Sequence, residues 1–147
     1  MVTNLELLVC VDGSHRSAKI AEYAIEFARK LSARILLIYV VYDVTMPEIQ
    51  SQLAEDLGKY YKSVGKSVLA KISEDIRKSG LEFDSLIEVG HPAERIVEVA
   101  RARKVEMIVL SLQGLHGLNR MRSLGSVSRR VLENAPCPVI VVHDDLS

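Results

Sequence analysis

The feature that most constrains this chain is an alternation running from end to end, in which short apolar runs exchange with amphipathic stretches. Runs that are apolar throughout are what strands look like when they are buried on both faces by crossover helices. Repeated strand–helix exchange of this kind predicts a doubly wound α/β sandwich. Residues 5–11 form the first run, closed by Asp12-Gly13-Ser14. From Ser17 the period changes, and Ala18, Ala21, Ala24, Ile25, Ala28 and Leu31 fall on one helix face. Ser14 is the expected N-cap of that helix. Residues 34–42 are a second strand, and residues 50–79 a long helix with Leu53, Leu57, Tyr61, Val64, Val68, Ile72 and Ile76 on one face. Gly80 stands where a helix C-cap is expected. Residues 81–89 read as a third strand, and Gly90-His91-Pro92 opens a helix with Pro92 in its first turn. Residues 106–110 form a fourth strand, 126–134 a short helix, and Pro138 to Val142 the last strand.

With 147 residues the chain is expected to form one domain, spanning 1–147, because no linker, repeat or low-complexity tract divides it. Nineteen Lys+Arg balance nineteen Asp+Glu, an equality that argues against a general nucleic-acid binder. The two cysteines, Cys10 and Cys137, lie far apart in apolar runs and read as reduced, buried and inert. No signal-peptide pattern is visible, and no apolar run approaches a membrane span, so the expectation is a cytoplasmic protein without membrane contact.

In doubly wound sheets ligands bind beyond the carboxyl ends of the strands, where the winding reverses. The segment 111–126 is the most informative such place. It holds Gly114, Gly117 and Gly125, and between Met107 and Leu132 there are four arginines (120, 122, 129, 130) and no acid. A glycine and a serine opening a helix offer free N–H groups and a hydroxyl where the dipole favours an anion. Asp12, ending the first strand, can accept a hydrogen bond from a ligand amine or sugar. Gly65-Lys66-Ser67 imitates the end of a P-loop, but Tyr60 stands where the motif needs glycine, and the triplet reads as solvated helix surface. The four histidines show no metal-ligand spacing. Nothing in the sequence supplies positive evidence for a catalytic nucleophile, so the protein is not expected to be an enzyme, slow hydrolysis of a bound ligand aside.

Val9-Cys10-Val11-Asp12-Gly13-Ser14, Gly90-His91-Pro92, Gly125-Ser126-Val127 and Asn134-Ala135-Pro136-Cys137-Pro138-Val139 together resemble the universal stress protein family over nearly the whole chain. The resemblance implies a five-stranded parallel sheet of order 3-2-1-4-5 with helices on both faces. It implies a stress-response or signalling module that binds ATP or AMP, with a magnesium ion. The nucleotide-binding residues it implies are Val11, Asp12, Gly13, Val40, Ser111, Gly114, Gly125, Ser126 and Val127, with Asp12 and the backbone near Val40 toward the adenine and ribose, and Gly114, Gly125 and Ser126 toward the phosphates. It also implies a homodimer joined through the edge strand at 138–142. Two departures favour an alternative, an interaction or scaffold dimer that has lost the nucleotide. Ser111 replaces a glycine, and ten residues rather than nine separate Gly114 from Gly125. The wider group of adenine-nucleotide α-hydrolase enzymes would show S-G-G-x-D-S after the first strand, and this chain has Val11-Asp12-Gly13-Ser14-His15-Arg16-Ser17.

Overall fold

The computed structural model of the protein describes residues 5–42, 51–112 and 124–143. The elements follow as β1 (Glu6–Cys10), α1 (Arg16–Leu31), β2 (Arg34–Tyr42), α2 (Ser51–Ser79), β3 (Phe83–Gly90), α3 (Pro92–Arg103), β4 (Met107–Ser111), α4 (Ser126–Asn134) and β5 (Val139–Val142). Every pairing is parallel, and the strands lie in the order β3-β2-β1-β4-β5. The winding therefore reverses at β1, between β2 on one side and β4 on the other. That reversal opens a crevice beyond the carboxyl ends of β1 and β4.

Side-chain alternation along the strands builds two cores. Leu7 and Val9 of β1 face α1 and α2 together with Ile35 and Leu37, while Leu8 faces α3 and α4 with Leu36, Ile38 and Ile108. All of these are essentially inaccessible to water, and each fully buried side chain of this size contributes about 1.5–3 kcal/mol. Ala21, Ala24 and Ala28 put a narrow stripe against the sheet, so α1 packs close. The helix ends match their residues: Pro92 opens α3 at its first turn, and Gly80 closes α2 at φ +80.

Two local readings are corrected. The N-cap of α1 is His15, not Ser14, and it makes no side-chain cap. The Ser14 hydroxyl accepts instead from the Arg16 N–H at 3.3 Å. Gly65 is not solvated surface. It is buried, and a Cβ placed on it would stand 2.7 Å from Cδ1 of Tyr39.

The apolar stripe of α2 also divides in two. Its 29 residues span about 43 Å at 1.5 Å each, well beyond the roughly 30 Å of β2. Val68 packs beside Gly13 at the end of the sheet, so the helix upstream of it overhangs the carboxyl rim. Ile72 and Ile76 are buried, whereas Leu53 and Tyr61 are 52% and 42% exposed.

The opposite, amino end of the sheet is held by charge. Glu6, only 7% exposed, takes two hydrogen bonds from Arg103, at 3.3 and 3.0 Å. Arg34 lies 3.8 Å from the same carboxylate and pairs with Asp84 at 2.9 Å. Hydrogen bonding to Glu6, with its charge, holds the Arg103 guanidinium above its ordinary pKa.

Candidate functional site

The turn after β1 is ordered by its own polar groups. Oδ1 of Asp12 accepts from the Ser14 N–H at 2.9 Å and from the Ser17 hydroxyl at 3.3 Å. The Ser17 oxygen in turn accepts from the N–H groups of Asp12 and Gly13, both at 3.3 Å. Ser17 is buried in the first turn of α1, and Gly13 takes φ +84, a conformation that suits glycine. The consequence is chemical. These three N–H groups are spent inside the turn, so it offers no nest for a phosphate, unlike a P-loop. Oδ2 of Asp12 has no hydrogen-bond partner among the described residues. It presents a half-exposed acceptor at the rim.

The other side of the crevice is built from the end of β4 and the start of α4. Ser111 is the last residue of β4, opposite Val142 of β5. Its φ is not positive, since Ser32 and Lys104 are the positive-φ non-glycine residues among those described. A serine therefore fits here without strain. Its carbonyl accepts from the buried Ser128 hydroxyl at 2.6 Å, which ties α4 to the strand. Gly125, in extended conformation, is the N-cap of α4 and provides no side-chain cap. Its own N–H donates to the Leu112 carbonyl at 2.8 Å. The donors left to meet an anion are thus the first-turn N–H groups of α4 and the exposed Ser126 hydroxyl.

Val11, Asp12 and Gly13 come together on the β1 side of the rim. Val40 lies near the end of β2, facing the α3/α4 core. Ser111, Gly125, Ser126 and Val127 come together on the β4 side. Gly114 lies outside the described residues, as do Arg120 and Arg122. Among the described residues no cluster of three His, Cys, Asp or Glu side chains forms a metal cage. A magnesium ion would have to be held largely by the ligand's phosphates.

Several rim groups carry no sequence motif. Arg130 of α4 donates from Nη1 to Nε2 of His91 at 3.0 Å, which joins α4 to the start of α3. Among the described residues Arg130 meets no carboxylate, whereas Arg34, Arg77, Arg95 and Arg103 all do. Ser17 and Ser128 are ordinary serines in sequence, and only the folded chain brings them to these partners. Burial, reinforced by the charge of Asp12, pushes the Cys10 thiol far above its usual pKa, in keeping with an inert cysteine. Burial also raises Cys137. A shallow groove of about 570 Å³ lies between α2 and β3, lined by Leu69, Ser73 and Ile87, and Asp12 is not part of its lining.

Sheet order, crevice and divided rim together define a doubly wound α/β domain with its topological switch point between β1 and β4, the place where sheets of this kind take ligands. The chain belongs to the universal stress protein family, whose model matches residues 5–143. Universal stress protein MJ0531 of Methanocaldococcus jannaschii is 33% identical over 138 residues, covering 93% of this chain and 81% of that protein. The universal stress protein UspA of Lactobacillus plantarum superimposes with a TM-score of 0.83 at 24% identity, covering 97% of this chain and 99% of the other. A family protein of Arabidopsis thaliana, solved with AMP bound, gives a TM-score of 0.71 at 19% identity, over 97% of this chain and 93% of that one. Two further structures of the same fold were solved in complex with cAMP and with dAMP, the latter from Archaeoglobus fulgidus. Among the described residues no helix is long and apolar enough to cross a membrane.

Proposed function

We propose that this protein is a cytoplasmic nucleotide-binding module of stress response or signalling, and that the crevice at the β1/β4 switch point takes an adenine nucleotide, AMP or ATP. The observation that carries the reading is the chemical division of the rim. On one side an acceptor, Oδ2 of Asp12, stands over a turn whose Asp12, Gly13 and Ser14 N–H groups are committed. On the other an uncapped helix start presents N–H groups with Ser126 and no acidic residue in its first turn. A ligand with a neutral, hydrogen-bonding end and an anionic end fits that division. The nucleotides seen in structures of the same fold are ligands of this kind. Asp12 and the backbone near Val40 serve the base and sugar, and α4 serves the phosphates. No catalytic role is assigned. Denaturing the protein as purified and analysing what it releases tests the reading, together with calorimetric titration of AMP and ATP. A released adenine nucleotide or saturable binding supports it, and neither being found overturns it.

The open edge of the sheet favours self-association. Val139, Ile140 and Val141 of β5 are only half-buried and, among the described residues, pair on one side alone, and an apolar edge strand invites pairing. The β3 edge differs in carrying exposed polar residues, Asp84 and Ser85, near its start. A homodimer through β5 is the proposed assembly, and a strictly monomeric mass in light scattering at micromolar concentration would contradict it. The scaffold reading survives only if the dimer forms and no nucleotide binds.

A further inference from the structure

Tyr39, on β2, is set at the rim in a way that its core role does not require. Its side chain is 9% exposed and belongs to the core under α1 and α2. One edge of the ring lies on the backbone of α2 at Gly65, where a Cβ would stand 2.7 Å from Cδ1 and 3.0 Å from Cε1. The other edge faces the β1–α1 turn, with Cε2 4.0 Å from where a Cβ on Gly13 would stand. The ring is therefore seated between α2 and the turn that carries Asp12, pressed on the α2 side and facing the turn with the other edge. No hydrogen bond to that hydroxyl exists among the described residues. A phenylalanine would fill the same slot, and a buried tyrosine normally finds a partner for its O–H. The phenol also stays protonated, because burial and, after it, the charge of Asp12 raise its pKa above the ordinary value.

We infer that the Tyr39 hydroxyl is a ligand-binding group, acting with Oδ2 of Asp12 to read a sugar hydroxyl of the bound nucleotide. The inference rests on the nucleotide reading above and adds a residue to it. Oδ2 only accepts, and the phenol is free to donate. A sugar hydroxyl both donates and accepts, so it satisfies the two at once. A phosphate does not, since it brings a second negative charge to Asp12 and meets Asp12, Gly13 and Ser14 N–H groups that are already engaged. Gly65 has a role in this arrangement as the vacancy that lets Tyr39 reach the rim.

The test is calorimetric titration of AMP and of its 2′-deoxy and 3′-deoxy analogues into the wild-type protein and Tyr39→Phe. The expected result is a loss of about 5-fold in AMP affinity, with an unchanged melting temperature. With at least one deoxy analogue, the two proteins should bind alike. Gly65→Ala, which keeps the hydroxyl but displaces the ring, should weaken AMP as well. Equal AMP affinity in wild type and Tyr39→Phe overturns the inference while leaving the nucleotide reading intact. So does an equal loss for all three ligands. A wild-type protein that binds none of them overturns both.

Discussion

Two acidic residues stand at opposite ends of β1, and their surroundings separate structure from function. Glu6 at the amino end is 7% exposed and is met by two arginines, Arg103 through both oxygens and Arg34 beside it. Asp12, just past the carboxyl end, is met by no cation among the described residues. Its partners are an N–H and a hydroxyl on one oxygen. The first carboxylate is fully compensated within the fold. The second keeps half of its accepting capacity for something else. The same division runs across the sheet, with ion pairs fastening the amino end while uncommitted donors and acceptors gather where the winding reverses.

Removing Glu6 attacks the structural side of this comparison and carries the largest expected effect. Glu6→Ala strands Arg103 and Arg34, and urea denaturation should show a loss of about 2–3 kcal/mol, below the full cost for a deeply buried pair because Arg103 is partly exposed. Nucleotide affinity of the folded protein should not change. Next comes Gly65→Ala. A Cβ pressing on the Tyr39 ring should cost about 1–2 kcal/mol of stability by overpacking, so a variant as stable as the wild type would show that the ring has room to move. Ser17→Ala removes the hydroxyl that joins α1 to Asp12 and Gly13. It should cost about 1 kcal/mol and speed hydrogen exchange at the Asp12 and Gly13 amides, while the amides of β4 stay protected.

The smallest effect concerns pH. The folded protein holds the Cys10 proton well above the ordinary thiol range, whereas the unfolded chain releases it near about pH 8.5. The contribution is therefore complete below that pH and declines as the pH rises above it. Stability should fall measurably from pH 8 to 10, and Cys10→Val should remove part of the fall. Native Cys10 should also resist iodoacetamide at pH 8 and react once the chain is unfolded.

Much of this was legible in the sequence, for physical reasons that can be located. The period change at Ser17, together with Gly80 and Pro92, marks element boundaries because backbone geometry restricts what can stand there. Asp12 and Gly125-Ser126 announce the rim through residue type alone. The order of the strands came with the family resemblance, since alternation does not say which strand lies beside which. The positions of Ser17, Ser128 and Tyr39 at the rim were not legible. Their roles depend on contacts across the fold, such as the 2.6 Å bond from Ser128 to the carbonyl of Ser111. Gly65 misled for the same reason, because a glycine in a helix surface pattern does not reveal that an aromatic ring from a distant strand fills its side.

The most direct measurement compares melting temperatures with and without saturating ATP for the wild type, Glu6→Gln and Asp12→Asn. A ligand that binds only the folded state stabilises it by RT ln(1 + [L]/Kd), about 2.7 kcal/mol at a hundredfold excess over Kd. The wild type should show a clear upward shift, Glu6→Gln the same shift from a lower starting point, and Asp12→Asn a strongly reduced shift at near-normal starting stability. No shift in the wild type, or an undiminished one in Asp12→Asn, would contradict this reading.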